Sequence, residues 1–178
     1  MLLLLAAAAL AILLYQHVLD SGYKLTYKDE IVRYAKKYDL DPYLVSSVIH
    51  VESSNRAEAV SSVGALGLMQ IMPDTGEWIA DKLGVEHDLE NLKLPETNIE
   101  FGCWYLNFLC ERFPVQDTVL AAYNAGHNAA ARWLNDPDYS KDGQNLTTIP
   151  YKETKNYVEK VNKAYSKYKK LFPDAFAA

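Results

Sequence analysis

The sequence predicts an all-α domain, and three observations predict it. Apolar residues recur at helical spacing in one segment after another, and prolines open several of these segments while glycines or prolines close them. No alternating run of β-branched residues suitable for a strand occurs. Residues 28–38 carry Ile31, Tyr34, Ala35 and Tyr38 on one face. Residues 42–53 open on Asp41 as N-cap with Pro42 at the first helical position. Residues 73–83 open on Pro73 and stop at Gly84, and residues 95–112 open on Pro95 and end before Pro114. Residues 115–124 carry Val119, Leu120 and Tyr123 and end at Ala125-Gly126, a C-cap signal. A short helix over 127–134 precedes a polar loop, 135–148. The last helix, 151–171, sets Tyr157, Val158, Val161, Tyr165, Tyr168 and Leu171 at helical spacing.

A chain of 178 residues suits one domain with a sizeable core. Its 49% hydrophobic and 23% charged residues are those of a globular protein. A net charge of −5 argues against the basic face that a nucleic-acid groove requires, so no nucleic-acid partner is expected. The thirteen tyrosines and three tryptophans are amphipathic aromatics of the kind that suits sugar rings, although core and boundary positions account for most of them. Residues 2–14 carry no charge, and the apolar character extends through Leu19. No Lys or Arg precedes this run and no Ala-x-Ala site follows it, as a cleaved signal would require. At about 18 residues it reaches the lower limit for crossing a bilayer. Residues 1–20 are therefore expected to form an uncleaved single-pass membrane anchor, with a cleaved signal segment as the alternative, residues 21–27 a linker and residues 28–174 the folded domain.

Cys103 and Cys110 lie two turns apart on one predicted helix, roughly 10 Å along its axis, too far to bridge each other. Both fall on the stripe of Ile99, Leu106 and Phe113 and are expected to be buried small hydrophobes. The histidines at 17, 50, 87 and 127 show no metal spacing, so no metal and no cofactor is expected.

The most informative stretch runs from His50 to Pro73. Leu44, Val45, Val48 and Ile49 form the apolar face of the 42–53 helix, and the next member of that series is Glu52. A glutamate in a last helical turn is ordinarily solvated. One that closes a buried stripe loses water, its acid form is favoured, and it becomes suited to protonate a leaving oxygen near neutral pH. The loop that follows, with Ser61, Gly64, Gly67, Leu68, Met69, Gln70 and Met72, is punctuated by glycines that let backbone approach a ligand or turn with positive φ. Glycoside cleavage ordinarily uses two carboxylates. Glu58, Glu77 and Glu153 are all candidates to partner Glu52.

The run from His50 to Pro73 resembles the catalytic signature of the lysozyme-like lytic transglycosylases of the goose-lysozyme superfamily. Two later segments resemble the same family in the same order. Ala122-Tyr123-Asn124-Ala125-Gly126 is similar to its A-Y-N-A-G motif, and Ile149-Pro150-Tyr151 with Glu153, Thr154, Tyr157 and Val158 is similar to its I-P-x-x-E-T-x-x-Y-V motif. The resemblance covers residues 25–171. It departs from the pattern at Asn55, Arg56 and Ala57, at Ser62 in place of a proline, and at Asn128 in place of a glycine.

The resemblance implies a compact lysozyme-like helical domain that acts on peptidoglycan glycan strands. In this family one glutamate serves both steps, protonating the glycosidic oxygen and then taking the proton of the sugar's own C6 hydroxyl. The substrate's N-acetyl group stands in for a second carboxylate, and the product is a 1,6-anhydro-muramoyl end. It implies Glu52 as the catalytic residue and Ser61, Gln70, Met72, Tyr123, Asn124 and Glu153 as substrate-binding residues, with Met69 in the core. The anchor would then hold the domain outside the cytoplasm, facing the cell wall; no protein partner is indicated. Two alternatives stand beside this reading: a goose-type lysozyme-like hydrolase, and a non-catalytic peptidoglycan-binding module.

Overall fold

The computed structural model describes Leu10, residues 20–86 and residues 88–177. Seven α-helices occur among the described residues: α1 (Lys28–Lys37), α2 (Pro42–Ser53), α3 (Pro73–Leu83), α4 (Pro95–Arg112), α5 (Gln116–Ala125), α6 (His127–Leu134) and α7 (Lys152–Leu171). A 3-10 helix, Leu89–Lys93, which the sequence pattern does not announce, leads into α4. No strand forms among them, but isolated antiparallel bridges pair Val60 with Leu66, Leu66 with Ile71 and Ser140 with Leu146. The all-α expectation therefore holds for the described residues. None of their helices is long and apolar enough to cross a membrane. The expected anchor, residues 1–20, lies outside the described residues save for Leu10 and Asp20.

The antiparallel pairing of α2 with α7 positions everything that follows. The Asp41 carboxylate caps α2 by accepting from the Tyr43 N–H at 2.8 Å, and its other oxygen accepts from the Tyr165 hydroxyl at 2.6 Å near the end of α7. The Tyr43 hydroxyl donates to the Phe172 carbonyl at 2.5 Å. These bonds tie the start of α2 to the end of α7, which brings the last turn of α2 beside the first turns of α7. Between them Val45, Val48, Ile49 and Val161 are fully buried, each contributing about 1.5–3 kcal/mol by leaving water. Residues 21–27 lie against the same pair. Tyr23 stacks on His50 at 4.4 Å between ring centroids, and the Tyr168 hydroxyl donates to the Lys24 carbonyl at 3.0 Å.

Helix α4 runs beneath the glycine-punctuated loop and holds it through one buried side chain. Asn98 accepts from the Met69 N–H at 2.7 Å and donates to the carbonyls of Leu66 at 2.9 Å and Leu92 at 2.6 Å. Gly67, at φ 78°, has to be glycine twice over: the backbone is left-handed, and a Cβ there would overlap the Asn98 amide and the Leu92 carbonyl. Met69 is fully buried, as expected, against the helix at Gly102. One expectation is corrected. Cys103 is buried, but Cys110 is exposed. Arg33 and Lys37 of α1 pair with Glu96 and Glu100, both at 2.6 Å, so α1 covers the first half of α4 and leaves its last turn open. At that end Leu109 and Phe113 carry the buried face.

Candidate active site

Glu52 stands in the last turn of α2. The helix closes with the Ser54 N–H on the His50 carbonyl, and the chain leaves through two successive left-handed residues, Ser54 (φ 53°) and Asn55 (φ 64°). Asparagine tolerates that conformation better than most residues, which gives Asn55 a local reason. The carboxyl group opens into a cleft of about 460 Å³ lined by Val51, Glu52, Asn124, Lys152, Glu153, Asn156, Tyr157 and Lys160. Burial raises its pKa from 4.5 to about 7, and the Tyr157 hydroxyl beside it offsets part of that rise. The contact with Tyr157 falls short of good hydrogen-bond geometry, and the buried hydroxyl has no other hydrogen-bond partner among the described residues. A carboxyl group of this kind is close to half protonated at neutral pH. It can give a proton to an acceptor in the cleft and take one back.

The three sequence segments converge here in part. Asn124, at the end of α5, and Glu153, in the first turn of α7, line the Glu52 cleft. The Thr154 hydroxyl locks the two segments together by donating to Asn124 Oδ1 at 2.8 Å. Tyr123 is half-buried, its ring parallel to that of Tyr157 at 6.5 Å. Its hydroxyl donates to the Met69 carbonyl at 2.8 Å, which joins α5 to the glycine-punctuated loop. Burial, with the Glu52 charge second, pushes its pKa far above the usual tyrosine value. Of the candidate second carboxylates, Glu153 is in the cleft, whereas Glu58 and Glu77 are exposed elsewhere.

Ser61, Gln70 and Met72 do not line that cleft. The Ser61 hydroxyl accepts from the N–H groups of Ala65 at 2.9 Å and Val63 at 3.3 Å, closing a turn. Gln70, at φ 50°, donates its side-chain amide to the carbonyls of Gly67 at 2.8 Å and Ala59 at 3.2 Å, bracing the loop. Met72 is 40% exposed and precedes Pro73 at the start of α3. A second cavity, of about 440 Å³, adjoins the other end of the A-Y-N-A-G segment, with Trp78, Tyr105, Gly126, His127 and Arg132 in its walls.

Two residues that matter to the site escaped the sequence reading. Tyr157 belongs to the third motif and to the apolar stripe of its helix, but no role in the site is expected of it from the sequence. Asn98, the brace of the loop, lies among polar residues, with Glu96 and Thr97 before it and Glu100 after, and gave no signal. Among the described residues no group of three or more His, Cys, Asp or Glu side chains could hold a metal ion.

Comparison with known proteins places this geometry. The model of the transglycosylase SLT domain matches residues 29–147. The soluble lytic murein transglycosylase of Salmonella typhimurium is 34% identical over 173 residues, which are 93% of this chain and 26% of that protein. A membrane-bound lytic murein transglycosylase C of Glaesserella parasuis is 31% identical over 160 residues, 77% of this chain and 44% of that protein. The X-ray structure of an inactive glutamate-to-glutamine mutant of the lytic transglycosylase Slt from Pseudomonas aeruginosa matches with a TM-score of 0.74 at 31% identity. It covers 84% of this chain and 25% of that one. The chain thus spans 26% and 44% of the lengths of these two relatives.

Proposed function

This chain belongs to the transglycosylase SLT domain family, and on that basis we propose that it is a peptidoglycan lytic transglycosylase with Glu52 as its single acid and base. Its substrate is the β-1,4 bond from N-acetylmuramic acid to N-acetylglucosamine. Glu52 in its acid form protonates the glycosidic oxygen as the bond from C1 to that oxygen breaks. The resulting carboxylate takes the proton of the C6 hydroxyl as that oxygen bonds to C1. The 1,6-anhydro ring closes, the acid is restored and no water is consumed. The observation that carries this reading is a carboxyl group raised to about 7 by burial, at the cleft where Glu52, Asn124 and Glu153 meet. Asn124 and Glu153 are proposed to contact the sugar directly. Ser61, Gln70, Met72 and Tyr123 are proposed to shape the groove around it, with Tyr157 orienting the Glu52 proton.

The test is digestion of purified peptidoglycan, with masses read on the released muropeptides. Ends lighter by one water are expected from the wild-type chain. Glu52→Gln should lose about 10² to 10⁴ of the rate or more, since one group serves both steps. Near-normal turnover by that variant would refute the assignment. The presence of Glu153 in the same cleft favours one second reading, hydrolysis by two carboxylates. Products carrying a full water would establish it instead.

We also propose that residues 1–20 anchor the chain in the bacterial cell membrane, with the domain outside the cytoplasm. The uncharged run supports this, and so does the existence of a membrane-bound relative. Cell fractionation tests it.

A further inference from the structure

Residues 21–27 read as a linker in the sequence, yet in the fold they lie as a strap tied at both ends. At one end the Lys167 ammonium pairs with Asp20 at 2.7 Å, and the Tyr23 N–H donates to the Asp20 carbonyl at 3.0 Å. In the middle the Lys24 carbonyl accepts from the Tyr168 hydroxyl at 3.0 Å. At the other end the Tyr27 carbonyl accepts from the Ile31 N–H at 3.0 Å, so the strap runs directly into α1. Between these ties the Tyr23 ring lies on the His50 imidazole, 4.4 Å between centroids and 18° from parallel. Tyr168 stands T-shaped to both rings, at 5.3 Å from Tyr23 and 5.9 Å from His50. The backbone ties hold the strap; what the stack adds is a grip on His50.

His50 and Glu52 share the last turn of α2. Two residues apart, they point about 200° apart around the axis, so His50 takes the back of that turn and Glu52 the front. The turn is the free end of its helix. Its final carbonyls have no following helical turn to bond them, and the chain leaves at once through left-handed Ser54 and Asn55. Val51, between the two residues, borders both the Glu52 cleft and a smaller depression at Tyr23 and His50. His50 Nδ1 is buried without a hydrogen-bond partner in the described structure, so ring contacts, not a bond at that nitrogen, hold the imidazole. Burial also lowers the His50 pKa below its ordinary 6.5, which keeps the ring neutral near the pH at which Glu52 titrates.

We propose that Tyr23 is a positioning residue for the reaction: by stacking on His50 it fixes the last turn of α2, and with it the carboxyl group of Glu52, against α7. The proposal rests on the assignment of Glu52 given above. The strap grips the back of the turn whose front carries the acid, so a segment outside the seven helices sets the aim of that acid and keeps water from it. Tyr23 is half-buried and lies outside the hydrophobic core, so its ring can be removed without opening that core.

The experiment uses the full chain with Tyr23→Ala, Tyr23→Leu and Tyr23→Phe, acting on soluble peptidoglycan strands. Tyr23→Ala is expected to lower kcat by about tenfold or more, because small misplacements of a catalytic group are costly, and to leave KM unchanged. Its alkaline limb should move to lower pH, because water reaching Glu52 lets the pKa fall from about 7 towards 4.5. The titratable groups around Glu52 are Tyr123 of α5 and Lys152, Glu153, Tyr157 and Lys160 of α7. Of these Lys160 also borders the depression at Tyr23, so the profile is read in high salt, which screens its charge. Tyr23→Leu covers the same surface without a ring to stack. It is expected to follow Tyr23→Ala, and it gives the reading if the alanine variant does not fold. Tyr23→Phe keeps the ring and should behave as wild type. A kcat that falls only with the folded fraction while the limb stays in place would overturn the proposal, and so would a loss in Tyr23→Phe equal to that in Tyr23→Ala. Failure of the Glu52 assignment shows separately, as near-normal turnover by Glu52→Gln.

Discussion

At Glu52 one physical fact, the loss of water around its carboxyl group, is expected to act on the proposed catalysis and on stability in opposite senses. The first step needs the acid form, so kcat is expected to fall through a single ionisation as pH rises past about 7. Tyr157→Phe removes the hydroxyl that pulls this pKa down, so the alkaline limb should move to higher pH. A shift to lower pH, or none, in the pH profile would refute the role given to Tyr157. For stability, the folded pKa lies above the unfolded value of 4.5. The favourable contribution of Glu52 is therefore complete below about pH 4.5 and lost as pH rises through about 7. Above that, the buried carboxylate costs up to about 3 kcal/mol. Urea unfolding should accordingly find Glu52→Gln more stable than wild type by a wider margin at pH 8.5 than at pH 5. The partial burial of Glu52 was legible in the sequence because it completes an apolar series. The part played by Tyr157 was not, since a tyrosine on an apolar stripe reads as core, and its ring is indeed buried there.

The elements differ in how they are held. Helices α2 and α7 share a wide buried face. The loop over residues 59–71 has two isolated bridges, the bonds of its own Ser61 and Gln70, and, from outside it, the bond from Tyr123 and the three hydrogen bonds of Asn98. Asn98→Ala strands the Met69 N–H and the Leu92 carbonyl in a buried place, while the Leu66 carbonyl keeps its bond from the Ile71 N–H; the loss should cost about 3 kcal/mol. It should also lower activity, because the Tyr123 hydroxyl bonds the same loop at Met69. Chemical denaturation with parallel muropeptide assays checks both; an unchanged midpoint would show that the loop is held by other means. The helix limits were legible almost to the residue because their signals are local: Pro42, Pro73 and Pro95 at the starts, Gly84 and Gly126 at the ends. The 3-10 helix was missed because its cap, the Asp88 carboxylate accepting from the Glu90 N–H at 3.0 Å, looks like any loop aspartate. Cys110 was misplaced because periodicity fixes the angle of a side chain and says nothing about where the covering helix stops.

Over the whole molecule, the proposed attachment through residues 1–20 would set where the domain can act. A domain held by residues 1–20 reaches only strands close to the membrane. Fractionation is expected to find the chain in the membrane pellet, with the domain accessible to protease added outside the cytoplasmic membrane; a soluble mature form lacking residues 1–20 would overturn the uncleaved anchor. The sequence by itself determined the helical class, the helix boundaries and the place of Glu52 at the half-buried end of an apolar series. Each of these follows from caps, periodicity and side-chain type within a few residues along the chain. Tertiary structure alone decided which of the expected site residues meet. The Asp41–Tyr165 bond spans 124 positions and sets α2 antiparallel to α7. That registry carries Glu153, Tyr157 and Lys160 to Glu52, while the bonds of Ser61 and Gln70 turn inward to their own loop. The physical reason is one of range. A cap is satisfied by its own neighbours, whereas a cleft is formed by surfaces that approach only when distant apolar faces leave water together.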